Sequence, residues 1–223
     1  SHVDGTLSDD EYRWLTMRAE GGFGLVTTCA AHVQAVGQGF PGQLGIFSDD
    51  HLPGLRRLAD GIIAAGAIGY VQLHHAGNRA ASAVIGSAPV CPSDDPETGA
   101  RALTTAETEQ AVADFVAAAR RAQLAGFQGV ELHGAHGYLI CQYLSAEINR
   151  RTDQYGGSLE GRSRFLFEIV DGVRAACGTD FGLAVRLSPE RFGMQIAEVV
   201  EVYRRLVDSG KVDLIDMSLW DVN

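Results

Sequence analysis

Five short runs of β-favouring residues recur along this chain, and a helical pattern separates each from the next. No other feature constrains the fold as much. The runs cover residues 24–29, 68–74, 129–133, 182–187 and 212–218. Ser8 followed by Asp9, Asp10 and Glu11 predicts a capped helix running toward Glu20. A second helix starts at Asp49 or Asp50 and places Leu52, Leu55, Leu58, Ile62 and Ile63 on one face. Thr104-x-x-Glu107 fits a capping box for an alanine-rich helix reaching Ala125, and further helices are expected over 161–177 and 196–209. Strand and helix in such regular alternation predict a parallel sheet in an α/β fold.

An open doubly wound sheet and a closed barrel compete for this pattern. The open sheet wants a Gly-rich phosphate turn directly after its first strand. Gly37-x-Gly39-x-x-Gly42 has the spacing, but it lies well past the strand and contains Pro41, so it reads as a mobile surface loop. The barrel wants its reactive side chains at the C-terminal strand ends. Gln72 with His74-His75, His133 with His136, Arg186 and Ser218 all occupy such ends. The barrel reading is therefore preferred.

Composition narrows the partners. A formal charge of −10 argues against the concentrated basic patch that a nucleic-acid or anionic-membrane surface needs. The most apolar stretch, around 62–73, is broken by glycines and too short to span a bilayer. Cys29, Cys91, Cys141 and Cys177 lie far apart without a C-x-x-C pair, so no zinc knuckle, iron–sulfur run or disulfide scaffold is expected. A soluble cytoplasmic protein is the default expectation.

His133-Gly-Ala-His136-Gly-Tyr138 concentrates the chemistry and admits three readings. The histidines could form a metal pair, joined by His74 or His75 and helped by Glu131, which lies two residues before His133 and points with it. They could instead be structural, satisfied by backbone groups at a barrel rim. In the third reading, two neutral imidazole N–H groups hold a carbonyl oxygen while a tyrosine phenol supplies a proton to carbon. That set suits reduction of a polarised double bond.

The residues here closely resemble a known family. His133-Gly-Ala-His-Gly-Tyr-Leu-Ile, Gln142-Tyr-Leu-Ser145 and Asn149-x-Arg151-Thr-Asp153-x-Tyr155-Gly-Gly-Ser158-Leu-Glu-x-Arg162-x-Arg164-Phe165 look like the old yellow enzyme family, the NADH:flavin oxidoreductases. Arg18-Ala-Glu-Gly-Gly-x-Gly-Leu25, Gln72-Leu-His-His-Ala-Gly77 and Arg186-Leu-Ser188 extend the likeness over essentially the whole chain. The resemblance implies an FMN-binding TIM (β/α)8 barrel with NADH or NADPH as reductant and a small activated alkene as substrate. It implies that His133 and His136 bind the substrate carbonyl oxygen and that Tyr138 protonates the α-carbon. Gln72, Arg186 and the backbone at Ala30 would contact the flavin. Whether the protein forms a homo-oligomer is left open.

The same resemblance makes the barrel incomplete. Five strand–helix units stand here against the eight of a closed barrel. The family pattern places a first strand before Ser1 and two more, with the main phosphate loops, after Asn223. The expectation is that residues 1–223 form the central part of a single FMN-binding barrel domain from a longer protein, and bind FMN poorly alone. Arg151 and Asp153 are expected to brace a loop, and residues 77–103 to form part of a substrate-facing cap. The alternatives are a metal-dependent hydrolase barrel built on the histidines, or a non-catalytic remnant or inactive paralogue.

Overall fold

The computed structural model describes residues 1–219, so the last four residues of the expected 1–223 unit lie outside the described residues. In chain order the elements are α1 (Asp9–Glu20), β1 (Leu25–Thr27), β2 (Ala31–His32), α2 (Leu52–Ala64) and β3 (Ile68–His74). Then come α3 (Ser82–Ile85), β4 (Val90–Cys91), β5 (Arg101–Ala102), α4 (Thr105–Leu124) and β6 (Gly129–Gly134). The series ends with α5 (Leu139–Leu144), α6 (Leu159–Cys177), β7 (Gly182–Leu187), α7 (Ile196–Asp208) and β8 (Leu214–Met217).

The main sheet is parallel throughout, in the order β1-β3-β6-β7-β8. The expected strand over 24–29 is split. β1 pairs with the start of β3 and β2 with its end, Ala31 facing Leu73 and His32 facing His74. Thr28 still donates its N–H to the Tyr70 carbonyl, but its hydroxyl bonds the Cys29 carbonyl and accepts from the Gln72 N–H, which ends regular pairing. Helix starts follow their caps: Ser8 for α1, the Thr104/Glu107 box for α4, and Ser158 for α6, which begins two residues before the expected 161.

Strand alternation divides the sheet into two faces. Val26, Val71, Leu73, Val130, Leu132, Leu183 and Val185 join Leu55, Leu58, Ile62, Phe115, Phe165 and Ile169 of the helices in one buried cluster. Each large side chain fully buried there stabilises the fold by about 1.5–3 kcal/mol. The other face carries Tyr70, Gly129 and Gly182 at one level. The phenol lies across both glycines: a Cβ at Gly182 would sit 1.8 Å from its hydroxyl, and one at Gly129 would sit 2.4 Å from its ring. Nothing larger than hydrogen fits beneath that ring.

The Gly37–Gly42 segment is not simply a surface loop. Gly37 is buried, its carbonyl accepts from the Ala76 N–H, and a Cβ there would meet the His75 ring at 2.5 Å. Residues 77–103 are likewise structured in part, with β4 and β5 paired in parallel. Arg151 pairs with Asp153 and also donates to the Pro92 and Leu103 carbonyls, so it clamps this segment to the loop before α6. Among the described residues β1 and β8 each keep one edge without a strand partner, and Leu25, Leu214 and Met217 are exposed there. No helix among the described residues is long and apolar enough to cross a membrane.

Candidate active site

The C-terminal ends of β3, β6 and β7 bring the candidate residues together. Gln72 stands opposite Glu131, and His133 opposite Arg186. Beyond β6 the chain turns sharply: His136 and Gly137 adopt φ of 61° and 73° in succession. A non-glycine residue there carries backbone strain of about 1–3 kcal/mol and persists only when its surroundings hold it. Three tethers do so. The His136 N–H donates to Ser188 Oγ at 3.1 Å, its carbonyl accepts from Arg79 Nη1 at 3.1 Å, and its ring Nε2 meets Ser218 Oγ at 2.5 Å.

The turn gathers the rings. His133 and His136 lie 5.0 Å apart between centroids and nearly perpendicular, at 86°. The Tyr138 ring is 5.1 Å from His133 and 6.3 Å from His136. His74 closes the cluster, its ring edge against Tyr138 at 4.3 Å. Tyr138 is half-buried, and its hydroxyl makes no hydrogen bond among the described residues.

Burial, then the neighbouring His136 and Arg186, push His133 down to about 3 from its ordinary 6.5. His136 is lowered as well, by burial and by the cations Arg186 and Arg79. Both imidazoles are therefore neutral near pH 7 and can serve as hydrogen-bond donors. Among the described residues no group of three or more His, Cys, Asp or Glu side chains is arranged to hold a metal. Glu131, considered above as a metal helper, accepts a 2.5 Å hydrogen bond from Gln72 Nε2, and burial raises its carboxyl.

Arg186 is only partly satisfied. Its Nε lies 3.1 Å from Asp216 Oδ2, close enough for an ion pair but without hydrogen-bond alignment. A hydrogen bond needs alignment as well as proximity, so this buried N–H has no acceptor among the described residues. Ala30 joins the group through Gln43, whose Nε2 donates both to the Ala30 carbonyl at 3.0 Å and to His74 Nδ1 at 2.9 Å. His133, His136, Tyr138, Gln72, Arg186 and Ala30 thus share one end of the sheet. Sequence reading gave no role to Gln43, Arg79 or Ser188, and none to Ser218 beyond a strand end; no local periodicity announces these contacts.

A sequence profile of the NADH:flavin oxidoreductase / NADH oxidase family matches residues 1–222. The chain belongs to that family. It is 42% identical over 234 residues to a Bacillus subtilis protein described as a probable NADH-dependent flavin oxidoreductase, covering 100% of this chain and 62% of the relative. An old yellow enzyme homologue from Zymomonas mobilis superposes with a TM-score of 0.91 at 30% identity, over 100% of this chain and 67% of that one. A 2-naphthoyl-CoA reductase in complex with 2-naphthoyl-CoA also superposes at 0.91, with 34% identity over 96% of this chain and 36% of that one. The chain spans 62% of the Bacillus relative and as little as 33% of other curated relatives. The parallel sheet is accordingly part of an old yellow enzyme barrel.

Proposed function

We propose that the protein carrying this chain is an FMN-dependent oxidoreductase of the ene-reductase type, reducing the C=C bond of an α,β-unsaturated carbonyl compound with NADH or NADPH. One observation carries the reading: two neutral histidines and a tyrosine converge at the strand ends beside an arginine, and among the described residues the Tyr138 hydroxyl and Arg186 Nε have no hydrogen-bond partner.

The residues fit a flavin on chemical grounds. The Nε–H of Arg186, which has no hydrogen-bond acceptor among the described residues, suits the N1–C2=O edge, where a cation opposes negative charge on the reduced ring. Gln72 spends its Nε2 on Glu131, which leaves its amide carbonyl to accept from the ring imide. When bound, FMN supplies hydride taken from the nicotinamide to the β-carbon of the alkene. His133 and His136 hold the carbonyl oxygen through N–H donors, and stabilise charge as it develops there. Tyr138 gives its hydroxyl proton to the α-carbon. A cleft of about 510 Å³ lined by Arg79, Gly137 and Phe192 adjoins this turn and offers room for the remainder of the substrate.

The test uses the purified full-length protein. Under anaerobic conditions NADH or NADPH should bleach a bound flavin, and a cyclic enone should restore the colour. A protein that carries no flavin, or whose reduced flavin no activated alkene reoxidises, contradicts the proposal.

A further inference from the structure

Ser218, just past the end of β8, contacts two members of the site at once. Arg186 Nη2 donates to its Oγ at 3.2 Å, and the same oxygen lies 2.5 Å from His136 Nε2. A guanidinium can only donate, whereas a hydroxyl has one proton to give and accepts through its lone pairs. Arg186 takes one lone pair and leaves the other free, so it is the hydroxyl proton's need of an acceptor that favours donation from Ser218. Among the described residues its only other neighbour within hydrogen-bond distance is His136 Nε2. His136 is held neutral, so one ring nitrogen is bare, and Ser218 selects Nε2 for that role.

His133 carries the opposite pattern. The Ala135 N–H points at His133 Nδ1 at 3.4 Å, a long contact but one directed at a bare nitrogen. Its ring proton therefore sits on Nε2. The two rings stand 5.0 Å apart at 86°, and on these contacts they carry unlike tautomers.

We propose that Ser218 is a positioning residue for the reduction: it relays Arg186 to His136 and fixes His136 as the Nδ1–H tautomer, complementary to the Nε2–H of His133. The proposal rests on the function read above, but its first readout does not. Long-range 1H–15N spectra of the 15N-histidine-labelled full-length flavoprotein, without substrate, report each tautomer directly. His136 should show a pyridine-type Nε2 and a pyrrole-type Nδ1, and its signals are identified by their loss in His136→Gln. Ser218→Ala should convert His136 to a tautomer mixture and weaken binding of a saturated ketone about tenfold, the scale of one such hydrogen bond. Ser218→Thr keeps the hydroxyl and should restore both. A wild-type His136 with its proton on Nε2, or a tautomer unchanged in Ser218→Ala, overturns the inference. If the tautomers behave as stated but no alkene is reduced, the functional reading fails and the role of Ser218 in setting the His136 tautomer stands.

Discussion

Two levels of the same three strands make opposite use of one geometry. At the level of Tyr70, Gly129 and Gly182, a single phenol ring fills the inner face and the facing positions are reduced to glycine to admit it. One pleat repeat further on stand Gln72 and Glu131, and then His74, His133 and Arg186. There the inward positions carry polar groups, and among the described residues Arg186 Nε and the hydroxyl of nearby Tyr138, beyond the end of β6, have no hydrogen-bond partner. The lower level closes its space with volume; the upper level leaves donors pointing where a ligand can meet them. Two residues along a strand are enough to pass from packing to chemistry, because the pleat returns every second side chain to the same face.

Changes at the two levels should separate cleanly. The largest effect is expected from His133→Ala, which removes one oxygen-holding donor and should lower kcat/KM for an enone by about 10²–10³-fold in steady-state assays. Next, Gly129→Val should lower the unfolding free energy by about 1–3 kcal/mol in denaturant titrations. Its Cβ would meet the Tyr70 ring at 2.4 Å and the Gly182 carbonyl oxygen at 2.5 Å. Combining it with Tyr70→Ala should recover part of the loss, and strictly additive losses would break the packing account.

A smaller effect concerns acid. His75 and His133 are both pushed down to about 3 from an ordinary 6.5, chiefly by burial. A folded value below the unfolded one means the unfolded chain takes up protons first on acidification. Stability is then full above pH 6.5 and falls as the pH drops from 6.5 toward 3. Each histidine contributes a slope of up to about 1.4 kcal/mol per pH unit inside that window. His75→Gln should flatten the slope of denaturation midpoint against pH, and an unchanged slope would remove His75 from the explanation.

The strand ends were legible in the sequence because a parallel α/β alternation fixes which residues leave the sheet at its C-terminal edge. β7 follows its expected span of 182–187 because the run Gly-Leu-Ala-Val-Arg-Leu is bounded by loop residues on both sides. The break between β1 and β2 was not legible, since it depends on the Thr28 hydroxyl capturing neighbouring backbone groups. The short helix α5 escaped notice because Leu139–Leu144 is buried along its whole length and shows no amphipathic period. Long-range partners were hidden for a different reason. Gln43 reaches His74 across 31 positions and Ser218 reaches His136 across 82, and only the assembled register brings them together. The left-handed backbone of His136 was equally unreadable, because residues elsewhere impose it.

On the proposed function, the histidine–tyrosine cluster should act on the alkene, apart from the transfer that loads the flavin. Stopped-flow measurement of both half-reactions in Tyr138→Phe of the full-length protein tests it most directly. Flavin reduction by the nicotinamide should proceed at close to the wild-type rate, with reoxidation by an enone slowed about 10²-fold or more. Equal slowing of the two half-reactions, or unimpaired reoxidation, would contradict it.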